Sequence, residues 1–307
     1  MQSIVLIRHA KSVANEYKDG VSEQGHTGHY AIPFEEGARQ NLLNSQLSVR
    51  GVHGVRTHAN TLWQRMAHLK AGRDVVVYAS PVKRALQTCL ISLDCEAAAA
   101  IFTGDTSFRV IVVPALMEAG NTAENVGIEL AAIQCCPDIF FLVESLRVRF
   151  KLPASYEVLD FSQFYAGEAP KPPHRWWSME YRAENADDRA AEFERLLAAR
   201  RQDLHMASEI DDAAGVLSPE TVGEVVVCFT HWGFSYAMTK GMMQTNFGVE
   251  DGDAQGGKGK EQWLERGGIR SPKGTLHPEC LLLRNDPSKP FMWLDDGCAG
   301  DAGKHTS

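Results

Sequence analysis

The sequence predicts an α/β fold, a three-layer α/β/α sandwich with a mostly parallel central sheet and long loop insertions. Three observations predict it. Short continuous apolar runs read as strands buried on both faces, helical periodicities separate them, and polar residues suited to chemistry follow the strand ends. The first run is Ile4-Val5-Leu6-Ile7, which leads directly into Arg8-His9. Further strand candidates are Asp74–Tyr78, Arg109–Val113, Glu224–Thr230, Cys280–Arg284 and Pro290–Leu294. Between them, Ser48 to about Leu69 carries Val52, Val55, Ala59, Leu62 and Met66 at close to the helical period. Val82 to about Cys95 reads as a second helix, and Ala183 to about Ile210 as a long, charged amphipathic one.

We expect one domain over residues 1–307, elaborated by insertions at 16–45 and 119–181 that fold over the sheet's active edge. The Gly- and charge-rich stretch 248–274 is expected to be a flexible loop and 298–307 a disordered tail. The alternation of Arg147, Arg149 and Lys151 reads as one face of a strand. Gly252 to Lys258 satisfies the G-x-x-x-x-G-K pattern, but Gly259 follows where a metal-binding Ser or Thr is required, and no apolar strand leads into it. It is read as loop.

Composition narrows the function classes. Hydrophobic and charged contents of 44% and 23% are those of an ordinary soluble globular chain. A net charge of -8 argues against nucleic acid as the main partner, which needs a basic face. No apolar run approaches the ~20 residues of a membrane span. The seven cysteines are scattered and show no C-x-x-C spacing, so reduced thiols in a cytoplasmic protein are expected. His26 with His29, and His53 with His58, lack the partners of a metal site.

Chemistry concentrates after four strands. Arg8 and His9 follow the first, at the carboxyl edge where open α/β sheets bind ligands. Tyr78-Ala79-Ser80-Pro81-Val82-Lys83-Arg84 follows the second, with Ser80 expected as N-cap, Pro81 at the first helical position and Arg84 one turn in. Glu118 lies past the third in Val112-Val113-Pro114-Ala115-Leu116-Met117-Glu118, and His231 past the run Val225–Thr230, before Trp232-Gly233. Two arginines and one histidine can enclose a phosphoryl dianion through charge-assisted bonds. The other histidine can attack phosphorus, and the carboxyl can protonate the departing oxygen.

These ordered motifs resemble the histidine phosphatase superfamily, the phosphoglycerate-mutase-like proteins of branch 1. Arg8-His9 is similar to the R-H-G signature. Ser80-Pro81, Arg84-Ala85 and Gln87-Thr88 are similar to S-P-x-x-R-A-x-Q-T, while Leu116-x-Glu118 and His231-x-Gly233 complete the set. Leu47-Ser48-x-x-Gly51 resembles the family's L-T-x-x-G helix start, and the matches run from Leu6 to Phe234. The resemblance implies a phosphoglycerate-mutase-like fold with His9 as the nucleophile, His231 with Arg8 and Arg84 on the phosphate, and Glu118 as proton donor. It further implies substrate contacts from Asn15, and from Ser12 and the Trp232 region. No cofactor and no metal are implied. The chain departs from the pattern at Ala10, where Gly is usual, at Lys11, whose charge could favour an anionic substrate, and at Trp232. A second, weaker likeness, to a phosphatase-like branch of fungi and plants, rests on Glu124-Asn125-Val126-Gly127, Trp176-Trp177 and the helix with Arg189, Phe193, Leu196 and Arg200. For the last two, core packing is the simpler reading.

The expected activity is phosphomonoester hydrolysis of a small phosphorylated metabolite through a phosphohistidine. Phosphoglycerate mutase activity is an alternative, weakened because the mutase patterns after His9 and after Glu118 are missing. A non-catalytic phosphate-binding regulatory protein is the other. A small phosphorylated substrate is the expected partner, without nucleic acid or membrane, and a homodimer stays open.

Overall fold

The computed structural model describes residues 2–23, 31–70, 73–118, 122–165, 186–213, 223–238, 281–284 and 292–293. Its sheet contains β1 (Gln2–Arg8), β2 (Asp74–Ala79), β3 (Val110–Val112), β4 (Leu159–Asp160), β5 (Glu224–Thr230), β6 (Leu281–Arg284) and β7 (Met292–Trp293) in the order β4-β3-β2-β5-β1-β6-β7. The first five in that order are parallel, while β6 and β7 pair antiparallel at one edge. The expected architecture is therefore present, with β5 inserted between β1 and β2 so that their carboxyl ends stand side by side.

Helices cover both faces. Val5 and Ile7 of β1, with Val225, Val227 and Phe229 of β5, belong to a core shared with α3 (Val49–Lys70), α4 (Lys83–Leu93), α5 (Glu96–Phe102), α6 (Leu130–Gln134) and α7 (Pro137–Phe150). The alternate residues Ile4, Leu6, Val226 and Cys228 belong to a second core that includes Phe193 and Leu197 of α8 (Ala186–Ala213) and Phe234 of α9 (Trp232–Met238). Burial on both faces explains why these strands are continuously apolar rather than alternating. Each large side chain so buried contributes about 1.5–3 kcal/mol. Arg189 and Phe193 are buried in this packing, Leu196 partly so, and Arg200 pairs with Glu224. Core packing thus accounts for that helix.

Three local expectations need correction. The helix after β2 starts at Lys83, not Pro81, because Val82 remains extended and Asn44 Oδ1 accepts the Lys83 N–H at 2.9 Å. That helix also stops at Leu93, and Cys95 caps a separate α5 by accepting from the Ala98 N–H. The Arg147, Arg149 and Lys151 stripe is not a strand: both arginines lie on α7, and Lys151 is its left-handed C-cap, with φ 56°. There Arg147 pairs with Glu144 and Arg149 with Asp94. The two-residue β4 is too short to leave a period in the sequence.

The stretch 16–45 contributes most of α1 (Val13–Glu23) and all of α2 (Phe34–Arg39). Ile32 and Leu42 bury against Ala14 and against Ala123, which begins the 3-10 turn Ala123–Asn125. Gly37 makes this contact feasible, since a Cβ there would meet the Ala123 Cβ at 2.1 Å. Residues 248–274 and 298–307, with His26, His29 and Trp176-Trp177, lie outside the described residues.

Candidate active site

The sheet ladder continues past its strands into the site. His9 N–H donates to Thr230 O at 2.9 Å, and Ser80 N–H donates to Phe229 O at 2.9 Å. His9, His231 and Ser80 therefore emerge in a row from β1, β5 and β2. Thr230 Oγ1 donates to Leu116 O at 2.8 Å, which ties the turn before Glu118 to the same edge.

Arg84, the second residue of α4 and 2% exposed, is the hub. Its Nε donates to His9 Nε2 at 2.9 Å and its Nη2 to His231 Nδ1 at 3.1 Å. Nη1 donates to Glu124 O at 2.6 Å, and Nη2 also to Asn125 Oδ1 at 2.8 Å. Every one of these acceptors is uncharged. Arg8 Nε is buried and has no hydrogen-bond partner among the described residues.

The hydrogen bonds assign both imidazole tautomers, because a guanidinium only donates. His9 Nδ1–H donates to Ala10 O at 2.7 Å, leaving the lone pair on Nε2. His231 has its lone pair on Nδ1, so its Nε2–H donates to Ser80 Oγ at 2.9 Å. The ring centroids are 5.0 Å apart. Burial, then the charges of Arg84 and Arg8, hold His9 well below the usual imidazole range, against the pull of the Ala10 hydrogen bond. His231 is depressed likewise, by burial first and Arg84 next. Burial lowers Arg84 to about 10, so it stays cationic at neutral pH. The site thus sets neutral imidazoles beside guanidinium cations.

Glu118 Oε1 accepts the Gly233 N–H at 2.9 Å, joining the carboxylate to the start of α9. His9, Glu118 and His231 offer ligand atoms within 4.8 Å of one another. By spacing they could surround an ion. Arg84 donates to both imidazoles, however, and that positive surrounding suits an anion better than a metal.

The motif residues around the hub hold it in place. Thr88 Oγ1 donates to Arg84 O and accepts the Ala10 N–H, and Gln87 Oε1 accepts the Leu47 N–H. Ser48 N–H donates to Lys11 O, and Gly51 crosses that carbonyl so closely that a Cβ would lie 2.0 Å from it. The loop bearing His9 is therefore clamped from two sides. Ala10 is not among the residues with positive φ, so replacing Gly there costs no backbone strain. Lys11 is buried and pairs with Asp19 at 2.5 Å, so its charge is engaged within the protein rather than offered to a substrate. Ser12 and Asn15 bond reciprocally at the start of α1: Asn15 Oδ1 accepts from Ser12 N and Oγ, and Ser12 Oγ accepts the Asn15 N–H. The Trp232 side chain lies outside the described part of the structure.

The structure thus gathers Arg84, His9, His231 and Glu118 directly, with Arg8 adjoining His9 in sequence. Sequence reasoning missed the hydrogen-bonding roles of Ser80, Asn125 and the Glu124 carbonyl. A carbonyl acceptor leaves no residue-type signal. The Glu124-Asn125-Val126-Gly127 motif was the one available hint.

No family model matches the sequence, and no curated protein matches it. Solved structures that it matches include several phosphatases, at low identity and low TM-score. The ecdysone phosphate phosphatase of Bombyx mori is 16% identical, with 82% of this chain and 81% of that chain covered and a TM-score of 0.35. A mycobacterial glucosyl-3-phosphoglycerate phosphatase is 13% identical over 80% of both chains, with a TM-score of 0.34. A phosphoserine phosphatase of Entamoeba histolytica is 15% identical over 80% of this chain and 81% of that one, with a TM-score of 0.32. Likeness at this level adds nothing to what the chain's own residues say about function. Among the described residues no single helix is long and apolar enough to cross a membrane.

Proposed function

We propose that the chain is a histidine phosphatase of the phosphoglycerate-mutase-like kind, a phosphomonoester hydrolase acting on a small phosphorylated metabolite without a metal. One observation carries this reading. The lone pair of His9 Nε2 lies against a buried guanidinium whose hydrogen bonds go to uncharged acceptors, and the adjoining Arg8 Nε has no partner among the described residues. A guanidinium bonded to neutral groups, beside a neutral nucleophile, fits a phosphoryl dianion.

In the first step His9 Nε2 bonds to phosphorus while the bond to the alcohol oxygen breaks, and Glu118 gives that oxygen its proton. The Nδ1–H bond to Ala10 O fixes the ring so that Nε2 is the attacking atom. In the second step water attacks the phosphohistidine, passes a proton back to Glu118, and releases phosphate and His9. Arg8, Arg84 and His231 hold the phosphoryl oxygens throughout. A cation ~4 Å from such an oxygen contributes on the order of 4 kcal/mol gross at an effective dielectric of 20, with desolvation offsetting part. His231 must donate from Nδ1 to do this, and Ser80 permits it, since its hydroxyl can turn to donate to Nε2.

Ser12, Asn15 and the backbone around Trp232 are proposed as further substrate contacts. The described cysteines Cys89, Cys95, Cys135, Cys136 and Cys228 are free thiols, which suits a cytoplasmic enzyme. The test is hydrolysis of p-nitrophenyl phosphate with chelator present, expected for the wild type and lost in His9→Ala. Wild-type turnover by the variant would refute the assignment.

A further inference from the structure

Next to the groups that hold Arg84 stands a charge pair that the reaction above does not use. Lys18 of α1 is bonded to Glu124 Oε1, and both side chains are largely withdrawn from solvent. Glu124 is 6% exposed, and its other oxygen, Oε2, is buried with no hydrogen-bond partner among the described residues. The pair is tied to the reaction centre, since Glu124 O and the neighbouring Asn125 Oδ1 both accept from Arg84. The charge of Lys18 also bears on His9, and that of Glu124 on Arg84. It forms where the stretches 16–45 and 119–181 meet, the two that the sequence marks as insertions.

The chemistry of the pair selects among leaving groups. Its net charge is zero, so it offers an anion no net attraction. A buried carboxylate oxygen without a partner calls for a donor. An alcohol hydroxyl meets both demands, donating its O–H to Glu124 Oε2 while its oxygen accepts from the Lys18 ammonium. Neighbouring hydroxyls can share the two charged groups. Building on the phosphatase reading, we propose that Lys18 and Glu124 form a leaving-group subsite for a neutral polyhydroxylated alcohol. The favoured substrates are then sugar or polyol monophosphates rather than phosphorylated acids.

Three-carbon substrates test this without altering the protein. The wild type is expected to hydrolyse glycerol 3-phosphate with a kcat/KM about 10-fold or more above that for n-propyl phosphate, the effect of one or two hydrogen bonds to charged groups. Glycerol 3-phosphate should also exceed 3-phosphoglycerate. In Glu124→Gln, which keeps the side-chain shape, the glycerol-to-propyl ratio should fall to about one or two. A wild-type ratio near one, a preference for 3-phosphoglycerate, or an unchanged ratio in the variant each overturns the subsite. p-Nitrophenyl phosphate separates the two levels of failure. Its turnover with no glycerol preference removes the subsite and keeps the phosphatase, whereas no turnover of any phosphate removes both.

Discussion

Two groups of arginines in this molecule meet opposite fates. On and beside the outer helices, Arg147, Arg149 and Arg200 each contact a carboxylate, from Glu144, Asp94 and Glu224 respectively. At the carboxyl edge of the sheet, Arg84 bonds to a backbone carbonyl, an amide and two imidazoles, and Arg8 Nε has no partner among the described residues. The outer arginines are neutralised in place. Arg84 is held by neutral groups and keeps its charge for something else. Arginine count alone says little about anion binding; the acceptors around each arginine decide it.

Removing the nucleophile should separate the two regions most sharply. His9→Ala is expected to lower kcat for p-nitrophenyl phosphate by about 10⁴-fold or more, read in a steady-state assay. Glu118→Ala should cost ~10²–10⁴ on alkyl phosphates, the usual weight of a general acid. The cost should shrink when the leaving group is p-nitrophenolate, which needs no proton; equal losses for both leaving groups would reduce Glu118 to a structural contact with Gly233.

Asn125→Ala removes one neutral acceptor from Arg84 and should lower kcat/KM by about 10-fold, a charged hydrogen bond's worth. Circular dichroism should show an unchanged fold. An unaltered kcat/KM would mean that Asn125 does not position the guanidinium.

The buried histidines give the inner region a pH signature. Their folded-state values lie well below the ordinary imidazole value. Below about pH 6.5 the unfolded chain takes up protons that folded His9 and His231 refuse. Stability should therefore be fully present above that pH and decline as pH falls toward the folded values, by up to ~1.4 kcal/mol per pH unit for each histidine. Urea midpoints at pH 7.5 and 5 measure this, and His9→Asn should flatten the decline. For the same reason the acid limb of kcat/KM should lie below pH 6.5. The smallest effect belongs to the outer region: Arg149→Ala should cost ~0–1 kcal/mol and leave turnover unchanged.

Much of this was legible in the sequence for a physical reason. Strands buried on both faces must be continuously apolar, so β1 and β5 announced themselves, and their last residues located His9 and His231. Legibility failed where a tertiary contact overrode a local signal. Asn44 reaches across to cap α4, so Ser80 is left to hold a histidine instead of a helix. The charged residues of α7 alternate in sequence without facing one way in space. Gln87 and Thr88 were visible as a motif, but only the fold shows that Thr88 grips Ala10 and Gln87 grips Leu47. The Lys18–Glu124 pair joins segments far apart in the chain and had no signature at all.

The most direct measurement is to trap the covalent intermediate. Enzyme quenched in alkali during turnover of a ³²P-labelled phosphomonoester, then mapped by peptide, should hold acid-labile, alkali-stable label on the Nε2 atom of His9 alone. Label on another residue, or none while turnover proceeds, would contradict the account.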